Sequence, residues 1–325
     1  MTGRILILTD GKAGHENQSK ALARALGREF DLVGVKFKSP WHKALSYVVD
    51  RLGLACPGLY EFSGGCDGAA LSARGYAAVI GTGSGTFYAV KTLARRLAVK
   101  GGVVLYPRGY RLSSFDCILS PSFDRPRRAA NIIEIPANLV AADEDFYAKG
   151  VAAFAAHRGR NGAGSAAERG AVAVIIGGPN KCATMTREWM RSQIESIFRE
   201  NAGASPAAGP EMWVTTSRRT PPEIEALLDE YPWDYKLIYS RDRFNPIPAF
   251  VKLARRLYVT AESTGMISEA CTSGTAEVQI IDNLKPGRHK FRRFVEDLAG
   301  AGYLRGARKI DLSAQFAAAR KLLGL

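Results

Sequence analysis

The chain has 325 residues, 46% of them hydrophobic, and a formal net charge of +14. That length suggests two globular domains, each with its own core; no run approaches the ~20 apolar residues needed to span a bilayer, and the first ten residues turn polar too soon for a signal peptide and read as the opening strand of a cytoplasmic protein. The positive charge favours phosphorylated substrates or anionic lipid, and without a helix-turn-helix, zinc-finger or RNP-type signature no nucleic-acid partner is expected.

Residues 4–9 are an apolar run of the kind that forms a central parallel strand. Asp10-Gly11-Lys12-Ala13-Gly14-His15-Glu16-Asn17-Gln18 follows as a loop, and residues 19–26 have helical spacing, stopped by Gly27. Strand, glycine loop, helix is where open α/β sheets bind ligands. The loop is not Gly-x-Gly-x-x-Gly and is no dinucleotide fingerprint. Its polar crowding makes His15 the best general base in the chain, with Asp10 the neighbouring candidate, because imidazole titrates near neutrality; a helix cap or surface histidine is the competing reading. Residues 32–37 form a second strand. The segment 36–52, with Lys36, Lys38, Trp41 and Lys43, leads into an amphipathic helix that suits a membrane interface as well as ordinary packing on the sheet. Residues 76–80 form a strand, followed by Gly81-Thr82-Gly83-Ser84-Gly85-Thr86, whose alternating glycines can form a nest of N–H groups, and by a helix over 87–97. Strands at 103–106, 115–119 and 131–136 complete this half. Asp143-Glu144-Asp145 has the spacing of a metal-binding pair but precedes a helical stretch, 146–156, and reads as acidic helix-start residues. Residues 157–165, rich in glycine and polar groups, are the expected linker.

The second half restarts with a strand at 171–176 and Gly177-Gly178-Pro179-Asn180-Lys181. A helix over 187–200 carries Met190, Ile194 and Phe198 on one stripe, and residues 211–216 form a strand. In Ser217-Arg218-Arg219-Thr220-Pro221-Pro222-Glu223, Thr220 and Glu223 fit a capping box with Pro221 at the first helical position. The two arginines can clamp a diphosphate or stay solvated. A strand at 236–239 and a helix over 245–256 come next. Residues 257–260 then form a buried strand that opens, through Glu262 and Ser263, into a helix beginning near Thr264, Gly265 and Met266. Unpaired N–H groups and the helix dipole make such a start a phosphate site. Glu269, about a turn and a half further in, can accept a ribose diol; the plainer reading is that Glu262 and Ser263 cap the helix and Glu269 is solvated. Residues 314–325 form a last helix. Five scattered cysteines (Cys56, Cys66, Cys117, Cys182, Cys271) and four distant histidines lack metal-ligand spacing, so reduced structural thiols and no metal site are expected. The pattern is α/β: two Rossmann-like domains facing a cleft, the default place for a ligand.

Five motifs in order carry a family resemblance: the loop from Thr9 to Gln18, Gly81-Thr82-Gly83-Ser84, Ile176-Gly177-Gly178-Pro179-Asn180-Lys181, Thr215-Thr216-Ser217-Arg218-Arg219-Thr220-Pro221, and Thr260-Ala261-Glu262-Ser263-Thr264-Gly265-Met266-Ile267-Ser268-Glu269-Ala270. Nearly the whole chain resembles the mitochondrial-fission Elm-type proteins, whose bacterial members are treated as GT-B-like glycosyltransferases. Ala261, Gly265 and the stretch from Thr275 to Val278 depart from the family pattern. The resemblance implies an N-terminal Rossmann-like acceptor domain (1–157), a C-terminal nucleotide-sugar donor domain (166–312) and a final helix (313–325) able to pack back on the first domain. It implies donor contacts from Glu269, Ser263, Thr264, Gly265, Met266, Arg218, Arg219, Ser217, Gly177, Gly178 and Lys181. His15 and Asp10 would be catalytic, and the acceptor-side loops would comprise Gly11, Lys12, Gly14, Glu16, Asn17, Gly81, Thr82, Gly83 and Ser84. No cofactor is implied beyond the nucleotide-sugar itself. The expected partners are that donor, a glycan or lipid-linked acceptor of the cell envelope and an anionic membrane surface, for a cytoplasmic protein with an optional peripheral seat on the inner membrane face. Two other readings stand beside this one. The first is a non-catalytic membrane-associated scaffold that kept the fold. The second is a nucleotide-sugar epimerase with bound NAD, disfavoured by the missing fingerprint.

Overall fold

The computed structural model describes residues 3–63, 71, 74–140, 143–160, 170–202, 209–306 and 308–325. In chain order the regular elements are β1 (Ile5–Thr9), α1 (Ala13–Ala25), β2 (Phe30–Phe37), α2 (Pro40–Arg51), β3 (Tyr60–Phe62), β4 (Ala78–Thr82), α3 (Phe87–Arg96), β5 (Lys100–Val104), β6 (Cys117–Pro121), β7 (Ile132–Ile135), α4 (Glu144–Arg160), β8 (Ala171–Ile176), α5 (Arg187–Asn201), β9 (Glu211–Thr216), α6 (Pro222–Leu228), β10 (Tyr235–Leu237), α7 (Ile247–Leu253), β11 (Ala254–Thr260), α8 (Thr264–Ser273), β12 (Glu277–Ile281), α9 (Lys290–Gly300) and α10 (Ser313–Leu323).

They fall into two compact units, 1–141 with 311–325, and 142–310. The first sheet has the order β3-β2-β1-β4-β5-β6-β7, parallel except for the antiparallel edge strand β3. The second has the order β10-β9-β8-β11-β12 and is parallel throughout. Counted within its unit, each sheet starts 3-2-1-4-5, the doubly wound Rossmann arrangement. Strands covered on both faces read as unbroken apolar runs, and β1, β4, β6, β8 and β9 are buried at every position.

Several expectations need correcting. Helix α1 starts at Ala13, because the Lys12 carbonyl accepts from His15 and Glu16 N–H; His15, Glu16 and Asn17 therefore stand on a helix and not in a loop. The helix expected over 245–256 ends at Leu253. Residues from Ala254 onward pair with β8 on one side and β12 on the other, and the Arg256 guanidinium meets Glu277 across the strands at 3.0 Å. Strands β3 and β12 and helix α9 had no counterpart in the sequence reading.

The break between the units also comes earlier than the glycine-rich stretch at 157–165. Helix α4 runs through His157 and Arg158 and packs on the second unit. Phe154 sits against Trp213 (5.1 Å between ring centroids), Tyr235 and Phe250. His157 stacks on Phe244 at 4.3 Å. Arg158, buried, pairs with the buried Glu211 at 2.8 Å. Residues 161–165 lie outside the described residues. At the other end of the chain, α10 lies against β5, β6 and β7 of the first unit. Asp143 accepts from Phe146 N–H at the start of α4, which accounts for the acidic run there.

The described cysteines are free; Cys66 lies outside the described residues. Burial pushes the Cys117 and Cys271 thiols up to about 12, so neither offers a thiolate at neutral pH. Among the described residues, no helix is long and apolar enough to cross a membrane.

The Glu211 carboxylate faces Arg158 and accepts from Trp213 Nε1 at 2.8 Å. Removing it leaves a buried guanidinium without its partner. Glu211→Ala is expected to destabilise the second unit by roughly 3–5 kcal/mol, read as a lowered urea midpoint; an unchanged midpoint would contradict this anchoring of α4.

Candidate active site

In a doubly wound sheet the strand order reverses between the first and fourth strands, and the connections there leave toward opposite faces, opening a crevice at the carboxyl ends. In the first unit this point lies between β1 and β4. In the second it lies between β8 and β11.

At the first point, Asp10 follows β1 directly. Its oxygens lie 3.1 Å from His15 Nδ1, and Lys12 Nζ lies 3.1 Å from Oδ2. Gly11, with φ +77°, makes the turn that lets α1 bring His15 back over Asp10. With Asp10 on Nδ1, the imidazole tautomer is the one that leaves Nε2 as the acceptor; Nε2 has no partner among the described residues. The loop after β4 closes the other side. A Cβ at Gly83 would stand 2.3 Å from His15 Cε1, and one at Gly85 would stand 2.7 Å from Asp10 Cβ. These glycines let backbone lie flat on the pair. Burial pushes the Asp10 carboxyl up, but Lys12 and His15 outweigh it and hold the group below its ordinary value.

The other acceptor-side candidates divide. Ser84 is exposed and accepts from Lys43 Nζ at 2.9 Å. Glu16 pairs with Lys20 at 2.6 Å and reaches Thr9 Oγ1 at 3.4 Å. Gly14 and Asn17 are exposed on α1. Gly81 and Thr82 are not available: both are buried, Gly81 packs on Thr86 and Val90, and Thr82 Oγ1 is bonded to Ser19 Oγ at 2.7 Å inside the unit.

At the second point the organiser is Glu262, which is 3% exposed. Its Oε1 accepts from Gly178 N–H at 2.7 Å, Ser263 Oγ at 3.0 Å and Thr260 Oγ1 at 3.2 Å, while Oε2 accepts from Asn283 Nδ2 at 2.7 Å. Arg219 lies 3.8 Å from Oε1 and donates to the Gly178 carbonyl at 3.3 Å. One carboxylate thus joins loops that follow β8, β9, β11 and β12. Close packing leaves no room for side chains: a Cβ at Gly177 would fall 1.9 Å from Glu262 Oε1, and one at Gly178 would fall 2.1 Å from the Arg219 carbonyl oxygen.

This changes the donor-side assignments. The Gly177 and Gly178 N–H groups are satisfied by Thr260 Oγ1 and Glu262, and the Ser263 hydroxyl is turned to Glu262, so these three groups are not free to meet a phosphate. Thr220 forms no capping box: its hydroxyl donates to the Gly177 carbonyl at 2.5 Å and accepts from Ser217 N–H at 2.9 Å. Ser217 Oγ accepts from Arg219 N–H. Arg218 and Lys181 are exposed and form no side-chain hydrogen bond or ion pair among the described residues, so neither is drawn into the cluster. What stays open is the start of α8. It has no side-chain cap, and the Gly265 and Met266 N–H groups lack a partner among the described residues; Thr264 is partly buried. Further along, Glu269 Oε1 accepts from Tyr147 OH at 3.3 Å, and burial raises its carboxyl above the ordinary value.

Sequence reading passed over Glu262, Asn283 and Thr260 as ligands of one another. For Thr260 and Glu262 the signal was present: each is polar and stands at, or just beyond, the carboxyl end of the buried run that ends β11, whereas Asn283 follows the partly buried β12, which the sequence does not mark. Among the described residues, no three or more His, Cys, Asp or Glu side chains gather in a way that could hold a metal ion.

A family model described as Mitochondrial fission ELM1 matches residues 13–320. No curated protein matches the chain. Among solved structures, UDP-GlcNAc 2-epimerase from Neisseria meningitidis aligns over 100% of this chain and 99% of its own at 10% identity, TM-score 0.49. A UDP-glucosyltransferase from Polygonum tinctorium aligns over 100% and 90% at 10% identity, TM-score 0.48. A family 9 glycosyl transferase from Veillonella parvula aligns over 99% and 97% at 9% identity, TM-score 0.39. At these identities and TM-scores the likenesses say nothing of activity.

Two outcomes follow from the geometry. Gly178→Ala forces a methyl group against backbone, and is expected to cost about 1–3 kcal/mol as an overpacked site, measured by urea denaturation; a neutral effect would contradict the loop packing. Because the Asp10 pKa is lowered in the folded chain, its contacts stabilise above the unfolded carboxyl pKa and are lost as pH falls through the lowered value. Wild type should therefore melt above Asp10→Asn at neutral pH, with the gap closing on acidification. A gap that is constant with pH would count against the pairing.

Proposed function

The chain belongs to the Mitochondrial fission ELM1 family, and on that premise we propose that it transfers a sugar from a nucleotide-sugar donor to a glycan or lipid-linked acceptor in cell-envelope biosynthesis. The observation that carries this reading is where the reactive groups stand. In each unit they lie at the carboxyl ends of the strands that flank the reversal of strand order, the position where open α/β sheets bind ligands.

The second unit supplies the donor site. The Gly265 and Met266 amides at the start of α8 take the diphosphate oxygens, with the helix dipole behind them. Arg219, fixed by Gly178 and Glu262, stands beside the leaving group; Arg218 and Lys181 are exposed and can swing in. Negative charge builds on the departing nucleoside diphosphate, so these donors act where the transition state needs them. Glu269 Oε2 accepts from the ribose diol. The first unit supplies the base. His15 Nε2 takes the acceptor hydroxyl proton as that oxygen bonds to the anomeric carbon and the carbon–diphosphate bond breaks. The Asp10 carboxylate then balances the positive charge of the imidazolium that forms.

A non-catalytic membrane scaffold is the competing reading, favoured by the exposed apolar face of α2. It gives no reason for an Asp–His pair with an open nitrogen.

The test is to add nucleotide-sugars one at a time, following thermal shift and donor hydrolysis. One donor should raise the melting temperature. His15→Ala should lower turnover by about 10²–10⁴-fold with donor affinity unchanged, and Arg219→Ala should weaken donor affinity by about 10–100-fold. Silence toward every nucleotide-sugar would overturn the proposal.

A further inference from the structure

A second feature of the first unit lies apart from the Asp10–His15 pair. Beyond β5 and β6, at the carboxyl edge of the same sheet, loops form an open cavity of ≈ 460 Å³ lined by Arg51, Arg108, Arg111, Arg125 and Arg127 around Tyr110. Among the described residues Arg108 pairs with Asp124 at 3.9 Å. The other four guanidinium groups form no ion pair among the described residues. Like charges held this close repel one another, and an anion in the cavity relieves that cost. The cavity wall is also strained: Arg125 (φ 51°) occupies the left-handed region without being glycine, and Gly109 (φ 89°) makes a second left-handed turn in the lining.

Helix α2 holds that wall in place. The Tyr47 ring lies 4.5 Å from Tyr110, and a Cβ at Gly109 would stand 2.9 Å from Tyr47. Ser46 Oγ is bonded to Tyr110 OH at 2.8 Å, and the buried Asp50, paired with Lys91, accepts from Arg111 N–H at 2.6 Å. The opposite face of α2 is exposed among the described residues. Trp41 (83% exposed), Leu45, Val48 and Leu52 recur every three or four residues and form one stripe, which Leu54 extends. These five make up most of the eight large hydrophobic side chains exposed on the described chain, so the patch is a concentration and not scatter. Exposed Lys38 and Lys36, the latter paired with Glu61 at 3.0 Å, precede it, and Arg51 ends it at the cavity.

We propose that this is a two-part site for a phosphate-bearing membrane lipid: the arginine cavity takes the phosphate or diphosphate, and the α2 stripe lies among the lipid chains. Apolar area beside cationic side chains is what an anionic bilayer surface binds. The inference rests on the transfer reading and deepens it, since the lipid phosphate would carry the accepting sugar.

The test is flotation of the full chain with phosphatidylcholine vesicles, with and without phosphatidate, and with pyrophosphate as a soluble competitor. Wild type should bind the phosphatidate vesicles more tightly by about tenfold or more, and pyrophosphate should reduce that preference. The double variant Arg111→Ser/Arg127→Ser should lose the preference, and Leu45→Ser/Val48→Ser should lose flotation. Both pairs are exposed, and unchanged melting curves will separate lost binding from lost folding. Equal flotation of wild type and the arginine variant would overturn the proposal. So would pyrophosphate protection without any flotation, which would assign the cavity to a soluble phosphorylated compound. No donor nucleotide enters this experiment, so its failure leaves the donor site untouched. Lipid binding by a protein that turns over no donor would instead remove the transfer reading and keep this one.

Discussion

A buried carboxylate needs hydrogen-bond donors, and Glu262 collects its own from the loops after β8 and β12, from the end of β11 and from its own loop. A carboxylate taken from water without such partners would cost several kcal/mol. Here Gly178, Thr260, Ser263 and Asn283 supply them, and the bonds to Gly178 and Asn283 tie the loops after β8 and β12 to the one after β11 at the carboxyl edge of the second sheet. The glycines at 177 and 178 follow from this constraint, since any side chain there would strike Glu262 or the Arg219 carbonyl. The open start of α8 follows too. Ser263 would normally cap the helix, but its hydroxyl is turned to Glu262, so the first amides of α8 have no side-chain cap. The carboxylate that closes the loops thereby leaves the helix start available to an anion.

The first unit reaches a comparable end by other means. There a carboxylate at the end of β1 is paired with an imidazole and an ammonium group, and glycines at 83 and 85 let the next loop lie against them. One unit thus offers a proton acceptor, the other a place for negative charge. The same first sheet carries the arginine cavity further along its edge, braced by α2. These groups stand on or beside loops, while strands β1, β4, β6, β8 and β9 below them are buried at every position and hold those loops still.

Much of this was legible in the chain. Unbroken apolar runs such as Ala171–Ile176 marked the central strands because both faces are covered, and the polar residues after them marked the ligand edge. His15 stood out by its crowded neighbours. The rest depended on partners distant in sequence. Glu262 reads as an ordinary helix-start acid until Asn283 and Gly178 come beside it. Thr220 matched a capping box, yet a carbonyl of the neighbouring loop claimed its hydroxyl. The linker at 157–165 looked polar and free, but His157 and Arg158 find an aromatic ring and a buried acid on the second unit. Strand β12, with its mixed sequence Glu-Val-Gln-Ile-Ile, is only partly buried and lacks the run that betrays a central strand.

The most direct test of the donor site is to follow backbone amide resonances of the full chain while adding nucleoside diphosphate. Gly265 and Met266 are expected to shift early and saturate together, with Gly177 and Gly178, already bonded within the protein, moving little. Shifts confined to other loops, or none at all, would contradict an anion seat at the start of α8.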